Sequence, residues 1–462
     1  MLVLNDLVFH ALKLRYEDLP ESVIQAAKRS VLDTLAVTIA GSSADGIEPL
    51  VRLVKAWGGR KESTILVYGG KVPAFTAGLA NSTMARARDL DDVHEPAAMH
   101  LSAAIVPSAF VISEYSRLIG NRLRNGRDFI VAIALGSDFL CRLRLAGPGA
   151  ADEGGWSSET PAPLAVAMMG AKILGFDEEK MCNSLGIAYA KCSGNIQAHT
   201  EGALTVRLQQ GFGSMSGILA VILADKGLTG AKDILEGKHG YYSLYMRGNY
   251  NPEALTKDIG QRFEISNVST KPYPSCKYTH TAIFGALQLA EENGIRPDAI
   301  RKVTITTNSH GYTLCGGERK ITPQSVPDAQ FSYYYTVAAA LVNGKVFIED
   351  FTEDAIRNDE VLSMARRIEV FSDANKDKVE SALSPTDIEI ETRDGNSYKK
   401  SVESVKGHPD DPMSFAELAK RLRDCAVFSA RPLSDENIDR VSQLVEHLEE
   451  INDVTTILRY LV

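Results

Sequence analysis

At 462 residues, with 44% hydrophobic and 24% charged side chains, the chain is an ordinary globular sequence that is too long for one compact core, so two domains are expected. The net charge of −9 and the lack of any basic stripe exclude a nucleic-acid footprint. Its longest apolar runs, such as FIVAIALG, fall far short of the roughly 20 residues that span a bilayer. The N-terminus carries acids where a secretory signal needs a positive start, and the six cysteines lie far apart without a CxxC pair. A reducing compartment follows, the cytoplasm first, with an organelle of a eukaryotic cell left open.

From Pro20 to about Asp225 one helical pattern follows another. In ESVIQAAKRSVLDTLAVTIAG, residues Val23, Ala27, Val31, Leu35 and Thr38 keep the helical period and Gly41 supplies a stop. Further helices are expected over 101–118, with Pro107 inside, and over 127–144, 163–174, 177–190 and 212–225. Near residue 266 the pattern changes. RKVTITTNS (301–309) and RIEVFSD (367–373) read as strands, and DIEIETRDGNSYKKSVE reads as a hairpin about Asp394-Gly395. Helices over 279–293 and 329–342 intervene. After GHPDDPMS the chain is helical again, through FAELAKRLRDCA and NIDRVSQLVEHLEEI. The expected architecture is a mainly helical fold plus an α+β part. A large discontinuous all-helical domain (1–265 with 405–462) would carry a smaller α+β lid domain (266–404).

Three stretches carry candidate chemistry. RDLDDVHEPAAMHLSAA (88–104) packs Asp89, Asp91, Asp92, His94, Glu95 and His100 against an apolar run. Its spacing fits no standard zinc or calcium motif. An acid/base site, a metal site and a solvated loop all remain open on the local sequence. GFGSMSG (211–217) lacks the strand–turn–helix context of a dinucleotide loop and reads as close helix packing through Gly213 and Gly217. KPYPSCKYTH (271–280) brings Lys271, Cys276, Lys277 and His280 to a helix start, where backbone N–H groups and lysines attract anions. That makes it the best carboxylate-binding candidate, against the alternative of a proline-rich linker. Cys276 has no evident base to make it a nucleophile.

LDDVHEPAAMHLSAAIVPSA, KPYPSCKYTH, DAQFSYYYTVAAALVNG and KGHPDDPMS occur in that order, with SVLDTLAVTIAGS and GILAVILADKGLTG beside them. Together they resemble the MmgE/PrpD family, which includes 2-methylcitrate dehydratases, cis-aconitate decarboxylases and iminodisuccinate epimerases. The resemblance implies a helical domain built from both chain ends, a lid, a homodimer, and a site between the domains with neither metal nor organic cofactor. Matched residue by residue, it implies that His100 is the catalytic histidine, with Asp91, Asp92 and His94 from the D-D-T-H motif. It further implies that Lys271 holds a substrate carboxylate and that Cys276 and His280 line the site. Three positions depart from the family: Val93 replaces a threonine, Ser157 a histidine and Val206 a lysine, though Arg207 remains adjacent. The lost cations weaken binding of a tricarboxylate, which carries about three negative charges near neutrality.

The expected activity is a hydro-lyase like 2-methylcitrate dehydratase, removing a proton beside a carboxylate of a hydroxylated di- or tricarboxylic acid and expelling water. His100 would be the acid/base and Asp91 or Asp92 its partner. Lys271 would stabilise the developing oxyanion, helped by His280, Lys277 or Arg207. The alternatives are an epimerase of an iminodisuccinate-type dicarboxylate, a decarboxylase, and an inactive family member that acts as a binding protein.

Overall fold

A computed structural model describes residues 3–120, 125–147, 154–378 and 383–462. Its helical body is built as the alanine- and glycine-rich sequence suggests. Helix Glu21–Gly41 is buried along almost its whole length, with Ala27, Val31, Leu35 and Thr38 all inside. Helices Ala74–Arg86, Ser102–Leu118 and Gly126–Leu145 pack against it, and Ala162–Ile173, Glu178–Tyr189 and Thr205–Asp225 extend the bundle beyond them. Small residues let these helices approach closely. A Cβ added at Gly217 would sit 2.5 Å from Val166 Cβ, and one at Gly213 would sit 2.8 Å from Ala162 Cβ. The helix Ser102–Leu118 runs on through Pro107.

The C-terminal helices Phe415–Ala426 and Asp435–Glu446 return to this body. Leu418, Leu422, Val441 and Val445 join the same core as Leu4 to Ile265. A buried ion pair, Arg421 Nε to Asp33 Oδ1 at 2.6 Å, ties the two ends of the chain together.

A second core, from Cys276 to Ile390, belongs to the α+β part. Two short antiparallel pairs precede its sheet. The first joins β1 (Ser63–Thr64) to β2 (Lys71–Val72), and the second joins β3 (Val93–His94) to β4 (Val268–Ser269). The main sheet has β5 (Ile300–Thr307), β6 (Ile368–Ser372), β7 (Thr386–Thr392) and β8 (Ser397–Val402) in the order β6-β5-β7-β8. Strands β5 and β6 are parallel and the other pairs antiparallel, with Ile305 opposite Ile388 and Ile390 opposite Tyr398. Gly395 turns the β7–β8 hairpin at φ +91°, a conformation that suits glycine. Helices His280–Glu292 and Tyr333–Asn343 cover the sheet.

Two expected boundaries shift. The helix expected at 212–225 begins at Thr205, so it includes Arg207. The helix expected at 329–342 is two: Val326–Gln330 stops, and Ser332 restarts the chain by accepting the Tyr335 N–H at 3.0 Å. The chain enters and leaves the lid side by side, Thr270 N donating to Gly407 O at 2.9 Å. Elsewhere the seam between the two parts is polar: Gln330 Nε2 donates to Arg88 O at 2.7 Å, and Leu383 N to Glu95 Oε2 at 3.2 Å. Among the described residues no helix is long and apolar enough to cross a membrane.

Candidate active site between the helical body and the lid

Pairing of β3 with β4 pins the acid-rich stretch against the strand that leads into the lid. After His94 the backbone folds back on itself, with His94 N donating to Met99 O at 2.9 Å and Ala98 in the left-handed region at φ +47°. The turn sends His94 and His100 to different places. His94 is fully buried, with Nε2 3.1 Å from Glu264 Oε2 and Nδ1 accepting the Ala97 N–H at 3.1 Å. His100 lines a cavity of about 150 Å³ at the seam. That is below the roughly 300–1,000 Å³ of drug-sized sites, so the cavity suits a small acid better than a nucleotide.

The cavity wall comes from both parts. The body supplies Arg86, Asp89, His100, Ser157, Glu159 and His199, and the lid supplies Cys276, Lys277, Tyr278, His310, Leu314 and Phe331. His100 Nδ1 lies 2.9 Å from the carbonyl oxygen of Asp92 and 3.1 Å from Asp91 Oδ2. A carbonyl only accepts, so Nδ1 carries the proton and Nε2 presents a lone pair. Burial pushes the Asp91 carboxyl up, but Arg86 and His100 outweigh it and hold it below the usual carboxylate range. A fixed negative charge therefore stands behind the ring, ready to stabilise an imidazolium.

Asp92 plays a different part from Asp91. Its carboxylate turns away from the cavity, accepting from Ser102 N at 3.1 Å and contacting Ser102 Oγ. Burial, with the charges of Asp33 and Asp91 adding to it, pushes this carboxyl up to about 7. Asp89, unassigned from the sequence, lines the wall instead. Burial would raise it, yet Lys271 and Arg86 hold it well below the usual range.

Lys271 does not line the cavity. It is completely buried, donating from Nζ to Asp89 O at 2.9 Å with Asp89 Oδ2 at 3.3 Å. The cations on the wall are Arg86 and Lys277. Lys277 Nζ pairs with Glu95 Oε1 at 3.1 Å, and burial lowers its ammonium below the usual lysine value.

Arg207 and His280 also lie off the wall. Arg207 donates to Asp45 O at 2.7 Å, and burial brings its guanidinium down to about 10. His280 is buried with Nε2 donating to Ser275 O at 3.1 Å, and burial beside Lys277 and Lys271 pushes it well below the ordinary imidazole value. Cys276 faces the cavity, with the Cys315 thiol hydrogen-bonded to it.

Several wall residues carried no motif in the sequence: Arg86, Glu159, His199 and His310. His199 packs edge-on to Phe331, with centroids 5.8 Å apart, and burial lowers its imidazole. Besides its histidines, the wall sets two cations, Arg86 and Lys277, against two carboxylates, Asp89 and Glu159. Among the described residues no group of three or more His, Cys, Asp or Glu is arranged to hold a metal ion.

The family models for the MmgE/PrpD N-terminal domain and C-terminal domain match residues 5–253 and 273–447. The chain belongs to the MmgE/PrpD family. Its similarity to characterised members is distant but runs end to end. A cis-aconitate decarboxylase of Aspergillus terreus is 26% identical over 99% of this chain and 96% of its own length. The cis-aconitate decarboxylases of Mus musculus and Homo sapiens are 24% and 25% identical over 98% and 97% of this chain, and each is covered over 92% of its length.

Proposed function

We propose that the protein is a lyase that removes a proton next to a carboxylate of a small hydroxylated di- or tricarboxylic acid and expels water, as a 2-methylcitrate dehydratase does. Family membership and the decarboxylase relatives support a lyase. One observation supports the residue assignment: the tautomer of His100, whose Nδ1–H is taken by the Asp92 carbonyl so that Nε2 is left as a base on the cavity wall.

In this reading a substrate carboxylate pairs with Lys277 and Arg86. His100 Nε2 takes the proton from the adjacent carbon while Asp91 stabilises the imidazolium. The electron pair left on carbon forms the double bond, the C–O bond breaks, and the hydroxide leaves as water with the proton returned from Nε2. Lys271 acts one layer back, holding Asp89 and the chain around it. The lid residues close the site against bulk water. The pair of chains implied by the family belongs to the same proposal.

Decarboxylation of a tricarboxylate is the second reading, supported by the relatives' activity. The balanced charge of the wall favours a dicarboxylate over a tricarboxylate in either reading. Incubating the protein with hydroxy acids and following the ultraviolet absorbance of a conjugated enoate tests the first reading. Its growth, lost in His100→Asn, is expected; carbon dioxide release from cis-aconitate with no action on hydroxy acids would favour the second.

A further inference from the structure

We infer that Glu159 is the residue by which this cavity selects a substrate bearing a hydroxyl group and rejects one that places a further carboxylate there. The inference rests on the acid-lyase reading above and concerns a residue outside its catalytic steps.

Glu159 is only 4% exposed, yet it lines the cavity. Its Oε2 accepts the hydroxyl of Ser157, the residue standing where a histidine was expected. Oε1 has no hydrogen-bond or ion-pair partner among the described residues. Arg86 lies close enough to be felt, with its Nη1 engaged by Asp89 and Asp91.

The turn that carries Glu159 is itself pinned. Thr160 Oγ1 and N both bond Ser157 O, at 2.7 and 3.1 Å, and Ser157 N donates to Gly194 O at 3.3 Å. Gly194 sits at φ +146°, where an added Cβ would come within 3.2 Å of Ser157 Cβ. The backbone that presents Glu159 to the wall is therefore fixed by its neighbours.

A carboxylate oxygen that opens onto the cavity without a protein donor is free to accept one from a bound ligand. A substrate hydroxyl supplies that donor while Lys277 and Arg86 take the carboxylate. An unsaturated tricarboxylate offers no such hydroxyl and would bring like charge against Glu159.

The test is equilibrium binding by calorimetry, in a His100→Asn background so that no turnover intervenes. The ligands are two matched pairs differing by one hydroxyl: malate against succinate, and citrate against tricarballylate. The hydroxylated member of each pair should bind on the order of tenfold tighter or more, since a site built for a hydroxyl penalises its absence. Glu159→Leu should bring both ratios close to one, and Glu159→Gln should give an intermediate value. Glu159→Gln also serves should the leucine variant not fold. Unchanged ratios, or equal weakening of all four acids, would overturn the inference while leaving the lyase reading intact. Absence of binding by every acid to either background would overturn both.

Discussion

Replacing Asp92 by Asn tests whether this aspartate is a buried, proton-holding support rather than a charged member of the site. The carboxyl is 3% exposed and its value rises from 3.8 to about 7, chiefly through burial. A carboxyl whose folded value is raised holds its proton more tightly in the folded state than in the unfolded one. The stability so gained is complete below the unfolded value and is lost as pH rises through about 7. A shift of about three units at 1.36 kcal/mol each amounts to about 4 kcal/mol in all, of which about 3 kcal/mol falls between about pH 5 and pH 8. Asparagine copies the neutral carboxyl at every pH, accepting from Ser102 N and donating to Ser102 Oγ. The stability of Asp92→Asn relative to the parent chain should therefore rise by about 3 kcal/mol across that interval. Urea unfolding of both proteins at the two pH values measures it. A difference that stays flat, or that falls with pH, would refute the reasoning.

Three further outcomes are expected. Lys271→Met leaves Asp89 buried with Arg86 alone and should destabilise the fold by about 3–5 kcal/mol, read from denaturant midpoints. Hydrogen bonds from His94 and Asn267 outweigh burial and hold Glu264 at about 2, so its contribution is present above 4.5 and lost as pH falls from there through about 2; His94→Ala should move the acid-unfolding midpoint, followed by circular dichroism, to higher pH. Light scattering on the eluting protein should give twice the 50.2 kDa of one chain, as the proposed pair requires.

Helices were legible where one face is wet and also, as in Glu21–Gly41 and Gly126–Leu145, where nearly every residue is buried. Phe415–Ala426 and Asp435–Glu446 bury Leu418, Leu422, Ile438 and Val441 on one side only, so their period stands out. Helix Ala74–Arg86 is buried from Thr76 to Arg86 and has no stripe to read, which also hid Arg86. His94 and His100 look equivalent in sequence; only the turn at Ala98 separates a buried histidine–carboxylate hydrogen bond from a cavity base. Lys271 and Lys277 share one motif, but the first is spent on Asp89 and the second reaches the wall. Glu159 comes to the site from a turn and His199 from the short helix Gln197–Glu201, and no local spacing announces either. Ser157 stands out in the sequence only by the family resemblance, and nothing local marks Glu159 two residues on.

The measurement that bears most directly on the central claim is proton NMR in D2O with 2-methylcitrate, citrate, cis-aconitate, malate, tartrate and iminodisuccinate, using the parent chain and His100→Asn. The account predicts that a hydroxy acid loses its methine or methylene signal and a vinyl signal grows. It also predicts that the rate falls by about 10²–10⁴ in the variant. Deuterium entering an α-carbon without loss of water would replace elimination by epimerisation. An unchanged rate in His100→Asn would contradict the account outright.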